Sequence, residues 1–244
     1  MTVPKVSIPS TASPFDAILR PSGTPGVHAR TELFETVMHG LDGLITRRRE
    51  PDAEALSFPP VMSRAHLERS GYLKSFPHLL GCVSGLHGTE AEVRSLVERR
   101  SEREWTDALQ ATDMVLTPAA CYPLYPIVAD NGSVPGTGAT YDVQSYCFRH
   151  EASAEPGRVQ AFRMREIVCV GLPDAVQGFR QRWIDRATRL MGELELPGRI
   201  APASDPFFGR VGRIMALDQV ERALKFELLI SLTPGEADTA CMSF

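Results

Sequence analysis

The sequence predicts an α+β fold with a mixed, mainly antiparallel sheet flanked by helices. The first observation behind this prediction is a set of segments in which apolar residues recur every three or four positions, as in amphipathic helices. The second is a group of short apolar segments, most of them in the later part of the chain, that read as strands. Because only one helical segment interrupts those later strands, an antiparallel sheet fits the order better than regular β–α–β alternation.

The helical pattern occurs in four segments. They span 29–49, 64–70, 90–110 and 175–194. In each segment the apolar residues share one face and charged residues occupy the other, which predicts helices that pack one side against a sheet. The last segment is followed by Pro197-Gly198, a pair that cannot continue a helix and is expected to end it.

Five short apolar segments predict strands. They span 56–58, 114–116, 141–149, 161–170 and 224–232. The first runs into Pro59-Pro60, and proline has no amide hydrogen to donate to a neighbouring strand, so this strand is expected to end there or to lie at an edge. A Gly-rich stretch, 133–140, is expected to connect the second strand segment to the third.

The chain of 244 residues is long enough for one large domain. Residues 1–28 are rich in proline, serine, threonine and glycine and predict an extended, loosely ordered arm. The remaining residues, 29–244, are expected to form one folded domain.

Composition excludes several classes of protein. No apolar run reaches the roughly 18 residues that a membrane helix needs, so no membrane association is expected. The net charge of −4 disfavours wholesale nucleic-acid binding, which usually shows a basic face. Five cysteines, an odd number without CxxC spacing, indicate reduced thiols and a cytoplasmic protein.

The most informative stretch is a predicted hairpin around residues 147–162. Arg149 ends its first strand and Arg158 precedes its second, so both guanidinium groups are placed to bind one anion. Glu151 and Phe162 lie in the same hairpin, and Phe162 offers a flat face to a base. The spacing fits equally well a surface hairpin with a solvated Arg–Glu pair and a core phenylalanine.

The order Phe-Arg-x-Glu, loop, Arg-x-x-x-Phe resembles motif 2 of class II aminoacyl-tRNA synthetases. The resemblance implies a class II catalytic core. It also implies that Arg149 holds the α-phosphate of ATP and the substrate carboxylate, and is the catalytic residue. By the same resemblance Glu151 contacts the adenine amino group, Arg158 reaches the γ-phosphate and Phe162 stacks on adenine.

Two further family motifs bear on the extent of the domain. The helix from Ala29 followed by Pro59-Pro60 resembles motif 1, which builds the dimer interface of class II synthetases, and so implies a homodimer. Motif 3, a Gly-rich strand and helix, has no match before the chain ends at Phe244 in what reads as a strand. The catalytic domain is therefore expected to be cut short before motif 3 and to continue in a longer chain.

Cys121 and Glu166 are candidate metal ligands. The segment 116–121 resembles the substrate loop of seryl-tRNA synthetases, and Glu166 lies in the stretch that follows motif 2. Thiolate and carboxylate both suit Zn²⁺, and the resemblance to atypical, zinc-dependent seryl-tRNA synthetases implies a third ligand beyond residue 244. Cys241 is a possible third ligand by count alone. For Cys121 the other interpretation is a buried, inert thiol.

Two features later in the chain, Glu227 and the pair Phe207-Phe208, each have two interpretations. Glu227 matches the acidic strand position that helps to hold Mg²⁺–ATP in the family, and it also fits an exposed strand glutamate. The adjacent Phe207 and Phe208 precede an apolar stretch with no counterpart in seryl-tRNA synthetases. They are interpreted either as core residues or as part of a docking surface for a protein partner.

Over residues 29–244 the chain resembles amino acid:[carrier protein] ligases, seryl-tRNA synthetase-like proteins without the tRNA-binding arm. The resemblance implies that ATP and a small amino acid, glycine or alanine, form an aminoacyl-adenylate. The acyl group then passes to the phosphopantetheine thiol of a carrier protein, and tRNA is disfavoured as a partner. Two alternatives stay open: a fragment of a tRNA-aminoacylating seryl-type synthetase, and a non-catalytic, dimeric synthetase-like module.

Overall fold

The structure, a computed structural model, describes residues 14–99, 105–151, 157–231 and 238–244. Short 3₁₀ turns lie at Pro14–Ala17, Pro77–Leu79 and Trp105–Ala108. The α-helices are α1 (Glu32–Thr46), α2 (Arg64–Arg69), α3 (Tyr72–Ser75), α4 (Glu90–Arg99), α5 (Leu124–Asp130), α6 (Pro173–Glu193) and α7 (Gly209–Glu221). Among the described residues, no helix is both long enough and apolar enough to pass through a membrane.

The strands form four small sheets. They are β1 (Leu19–Pro21), β2 (His28–Arg30), β3 (Glu54–Phe58), β4 (Val61–Ser63), β5 (Cys82–Leu86), β6 (Leu109–Leu116), β7 (Ala139–Phe148), β8 (Ala161–Val170), β9 (Gly198–Pro202), β10 (Phe226–Ile230) and β11 (Thr239–Ser243). Their orders are β1-β2, β3-β7-β8, β4-β6-β5 and β11-β10-β9. Within the described ranges β3 and β7 are parallel and every other pair is antiparallel, which confirms the predicted mixed, mainly antiparallel arrangement.

Three expectations differ from the structure. Helices α5 and α7, as well as α6, interrupt the later strands, where only one helical segment was expected. The helix predicted over 90–110 ends by Arg99, and Leu109 and Gln110 already belong to β6. This strand pairs with β4 on one side and β5 on the other, and those backbone hydrogen bonds outweigh the local helical pattern. The predicted arm is also ordered from residue 14 onwards, since β1 and β2 form a hairpin there; residues 1–13 lie outside the described ranges.

Strands β7 and β8, ten residues each, form a hairpin against which other elements pack. Its ten pairs run in unbroken register from Ala139 opposite Val170 to Phe148 opposite Ala161. Successive side chains of a strand point to opposite faces, so each face collects alternate residues. One face packs apolar residues such as Val143 against Ala120 and Leu124, both fully buried. The other face is polar and carries α1.

A charged network joins α1 to this second face. Asp142 on β7 is 5% exposed and accepts two hydrogen bonds from Arg165, at 2.8 and 2.6 Å, and a third from Arg49. Arg165 also donates to Asp42 and Thr46 on α1. Burial alone would raise the pKa of Asp142, but the hydrogen bonds from Arg165 and Arg49 outweigh it and hold the pKa below its usual value.

Replacing Asp142 with asparagine is expected to lower the free energy of unfolding by about 3–5 kcal/mol, because two guanidinium groups lose their shared counter-charge. The matched control is Asp113→Asn, whose side chain is 99% exposed in its pair with Arg64 and whose loss should cost under about 1 kcal/mol. Because the pKa of Asp142 is lowered by folding, its stabilisation is complete at neutral pH and is lost as the pH falls through that lowered pKa. Urea unfolding of both variants across acid pH checks this; equal losses at neutral pH would contradict it.

Candidate active site

A buried loop delivers the candidate metal ligand to the apolar face of the hairpin. Residues 117–123 connect β6 to α5, and Thr117 and Ala120 are completely buried. The amide of Thr117 donates to the carbonyl of Pro60, and the amide of Phe148 donates to the carbonyl of Thr117. These bonds tie the loop to the ends of β4 and β7, so Cys121 occupies a fixed position beside the sheet.

The structure brings Cys121 and Glu166 together. The amide of Cys121 donates to Oε2 of Glu166 at 2.6 Å, and the hydroxyl of Tyr125 donates to the Cys121 sulfur at 3.2 Å. Burial raises the pKa of the Cys121 thiol to about 12, and the neighbouring carboxylate adds to the rise. Burial also raises the pKa of Glu166, an effect that the Cys121 amide partly offsets. A cation bound between the thiol and the carboxyl would favour the ionised forms of both groups.

The pair fits part of a zinc site. Thiolate sulfur and carboxylate oxygen are both ordinary Zn²⁺ donors, and the Cys121 amide holds the Glu166 carboxyl group beside the Cys121 loop. Within the described ranges no third histidine, cysteine, aspartate or glutamate joins them. Cys241 lies exposed on β11, away from the pair, so it does not complete the set by position.

Arg149 lies at the centre of the site. Its Nε donates to the carbonyl of Pro118 at 3.0 Å, and its guanidinium carbon lies 5.5 Å from the centre of the Phe162 ring. Its backbone amide donates to the carbonyl of Gln160, which closes the hairpin beyond the last β7–β8 pair. Arg149, the predicted phosphate-binding residue, therefore contacts both the loop at Pro118 and Phe162, the predicted adenine-stacking residue.

The remaining hairpin residues take different positions. Glu151 is partly buried, and its charge acts on the same phenol, Tyr72, as that of Arg149. Arg158 is exposed in the approach to β8. Residues 152–156, between Glu151 and Arg158, lie outside the described residues.

Glu227 lies on β10 in a charged group that the sequence analysis did not identify. Lys225 contacts Glu227 at 2.8 Å and Asp205 at 2.7 Å, so one lysine serves two carboxylates. Gln219 of α7 donates to Asp205 at 2.9 Å. Burial alone would raise the pKa of Asp205, but the bonds from Gln219 and Lys225 outweigh it and lower the pKa, with a further contribution from the charge of Arg149. Asp205 is therefore an ionised carboxylate near Arg149.

An aromatic row, defined here as Tyr125, Tyr122, Tyr72, Phe76 and Phe207, runs from Cys121 towards α7. Neighbouring ring centres are 5.1–5.6 Å apart, within the range of favourable aromatic pairs. No sequence signal identified this row, because its members come from three separate parts of the chain. The row packs the wall of the site against the base of α7.

Helix α7 presents an apolar outer face. Val211, Ile214 and Leu217 are each more than 60% exposed. The two phenylalanines that precede the helix divide their roles: Phe207 stacks on Phe76, whereas Phe208 is 56% exposed. Phe207 is thus partly buried against Phe76, and Phe208 extends the exposed surface. The amide of Phe208 donates to the carbonyl of Ser75, which anchors the start of α7 beside α3.

Comparison with known proteins identifies close relatives. No protein-family model matches the chain. An amino acid--[acyl-carrier-protein] ligase 2 of Bradyrhizobium diazoefficiens is 52% identical over 99% of this chain and 74% of its own length. The ligase 1 of the same organism is 54% identical over 94% of this chain and 71% of its own length.

A solved structure agrees on the fold. M. kandleri SerRS, crystallised with A. aeolicus tRNASec, superposes with a TM-score of 0.74 and 21% identity, covering 93% of this chain and 47% of that one. At this identity the likeness shows the fold alone. The predicted class II synthetase-like architecture is thereby confirmed.

Proposed function

The chain belongs to the family of amino acid--[acyl-carrier-protein] ligases, and from that membership we propose that it activates a small amino acid with ATP and transfers it to a carrier protein. The observation that carries the proposal is the contact between Arg149, Phe162 and the loop that holds Cys121 against Glu166. A cation, a flat aromatic face and a pair of buried acidic ligands within one site suit a nucleotide and a free amino acid.

The chemistry takes two steps. A carboxylate oxygen of the amino acid attacks the α-phosphorus of ATP, the bond from that phosphorus to the bridging oxygen breaks, and pyrophosphate leaves. The thiol of the phosphopantetheine arm then attacks the acyl carbon, its proton is released to solvent, and AMP leaves from the aminoacyl-adenylate. Arg149 supplies positive charge where negative charge accumulates on the phosphate during the first step.

Each remaining residue that is predicted to bind the nucleotide has a proposed role. Glu151 accepts a hydrogen bond from the adenine amino group, Arg158 binds the γ-phosphate, and Phe162 stacks on the base. Glu227 helps to hold Mg²⁺ with the nucleotide, and its contact with Lys225 at 2.8 Å orients the carboxylate for this task.

Cys121 and Glu166 are proposed to hold Zn²⁺ together with a ligand beyond residue 244. When bound, the metal would act as a Lewis acid for the amino group of the substrate. Glu166 and the Cys121 amide hold each other in position, and Tyr125 directs its hydroxyl at the sulfur. These contacts orient the two donors before a metal arrives.

The amino acid is proposed to be glycine or alanine. The assignment rests on the family resemblance. Discrimination against one additional methylene in such a site is worth only about 1–3 kcal/mol. Amino-acid-dependent ATP–pyrophosphate exchange, measured with glycine, alanine, serine and several larger amino acids, tests this: exchange restricted to one or two small substrates supports the proposal, and a preference for a large amino acid contradicts it.

The exposed face of α7 is proposed to dock the carrier protein. Ile214 and Leu217 supply apolar area, and the exposed Arg210 and Arg213 lie on the same helix, so an acidic carrier surface with apolar residues would match it in charge and polarity. The helix is tied to Asp205 through Gln219, and the residue two positions before it, Phe207, belongs to the aromatic row.

Replacing Ile214 with aspartate is expected to reduce aminoacyl transfer to the carrier by about ten-fold or more, because the substitution desolvates a charge at the centre of an apolar contact. Pyrophosphate exchange should stay near the wild-type rate, since Ile214 is 62% exposed on the outer face. The matched control is Leu172→Asp, equally exposed before α6, which should leave both rates unchanged. Transfer at the wild-type rate in Ile214→Asp would contradict the docking surface.

A homodimer and a cytoplasmic location complete the proposal. The dimer rests on the resemblance of α1 and β3 to motif 1, and Val37 of α1 is 58% exposed. The location rests on five cysteines that all remain unpaired.

A further inference from the structure

Tyr72 is a buried tyrosine whose hydroxyl lacks a partner. The residue begins α3 and is 3% exposed, and its oxygen finds no hydrogen bond within the described ranges. Nearly all buried polar side-chain atoms in proteins are hydrogen-bonded, and leaving one unpaired is destabilising. The hydroxyl is therefore available to bond to a group that the described residues do not supply.

The ring of Tyr72 is held rigidly. It packs in the apolar cluster of Leu67 and Val115, and it contacts the rings of Phe76 and Tyr122 at 5.4 and 5.3 Å. The ring of Tyr122 meets it edge-on, at 86°. These contacts would remain with phenylalanine at this position, so the hydroxyl adds nothing to the packing.

The segment that follows Tyr72 is tied to the end of the β7–β8 hairpin that carries Arg149 and Glu151. The amide of His150 donates to the carbonyl of Leu79 at 2.9 Å, which fastens the hairpin residues between Arg149 and Glu151 onto the segment after α3. Both charges that act on the Tyr72 phenol, those of Arg149 and Glu151, come from this hairpin. Burial raises the pKa of the phenol to about 12, so at neutral pH the hydroxyl retains its proton and is a hydrogen-bond donor.

We propose that the Tyr72 hydroxyl donates a hydrogen bond to a phosphoryl oxygen of the nucleotide that Arg149 binds. The inference rests on the proposed function, since it assumes that Arg149 holds ATP and the adenylate. An anionic oxygen is the acceptor that best suits a protonated phenol next to a guanidinium group. Tyr72 is then a second, uncharged contact to the phosphate, contributed by α3 and not by the hairpin.

Replacing Tyr72 with phenylalanine separates this function from a structural one. Because the substitution removes an unsatisfied buried group, the ligand-free variant should melt about 2–6 °C above the wild type. Pyrophosphate exchange should fall roughly ten- to a hundred-fold, and the affinity for ATP should fall with it. A hydroxyl with a purely structural role would instead lower the melting temperature. The control is Tyr146→Phe. Tyr146 lies on the polar face of β7, opposite the face that packs against the Cys121 loop, so this substitution should change neither the exchange rate nor the ATP affinity.

Isothermal titration calorimetry with ATP measures binding alone, so it tests the inference whether or not the protein catalyses the reaction. Equal ATP affinities in wild type and Tyr72→Phe overturn it, whether or not the wild type catalyses exchange. A wild type that binds ATP more tightly than Tyr72→Phe but shows no exchange supports the inference and contradicts the proposed function. A wild type that does not bind ATP overturns both.

Discussion

Replacing Arg149 with alanine is expected to lower amino-acid-dependent ATP–pyrophosphate exchange by about a hundred- to a thousand-fold or more. The expected loss is that of a preorganised charge aimed at the reacting phosphate. The variant should still fold, because Arg149 is partly exposed, although the Pro118 carbonyl loses its donor and the Phe162 ring loses the guanidinium above it. Circular dichroism and thermal melting measure that cost separately from activity.

Arg149→Lys is the matched variant. It retains the charge but not the planar fork that binds a phosphate and a carboxylate in two-point contacts, so exchange should recover only in part. If Arg149→Ala folds and exchanges at the wild-type rate, the motif 2 assignment of the hairpin is wrong. If both variants unfold, ATP binding by Arg149→Lys in a stabilising osmolyte decides between a binding and a packing role, since only a binding role predicts weaker affinity in the folded protein.

Replacing Cys121 with serine is expected to remove bound zinc and amino-acid activation together. A serine hydroxyl does not ionise to match a thiolate, so the site loses one of its two described donors. Metal content measured by mass spectrometry should fall from about one zinc per chain to near zero. The matched control is Cys82→Ser, an exposed thiol on β5, which should keep both metal and activity.

The pH dependence of zinc binding follows from the same two residues. Folding raises the pKa of Cys121 to about 12 and also raises that of Glu166, so in the metal-free protein the Cys121 thiol holds its proton. Binding must displace that proton, and the affinity for zinc should therefore rise with pH. A Cys121→Ser protein that retains one equivalent of zinc, or an affinity that does not change with pH, would show that Cys121 is not a ligand.

Local patterns and the family motifs together predict much of the fold and of the site. Strand β8 has the predicted limits, Ala161–Val170, because its alternation and its place in the hairpin agree. The adjacency of Cys121 and Glu166, 45 residues apart, follows from the motif resemblance and not from any local pattern. The helix predicted over 90–110 is too long because strand pairing by β6 overrides helical periodicity.

The features that the sequence did not reveal all depend on long-range contacts. Asp205 is identified as a site carboxylate by Lys225, 20 residues away, and by the field of Arg149. Tyr72 is notable only because its hydroxyl is buried without a partner among the described residues, and burial becomes visible only in the folded structure. The exposed face of α7 cannot be read from its composition, since the same apolar residues would suit a core helix.

The choice of acceptor tests the central claim most directly. A labelled small amino acid and ATP are incubated with this protein, a carrier protein bearing its phosphopantetheine arm, and tRNA in equal amounts. We expect the label on the carrier, in a form released by hydroxylamine as a thioester would be, and none on a carrier that lacks the arm. Label on tRNA instead of on the carrier would contradict assignment of the chain as a carrier-protein ligase.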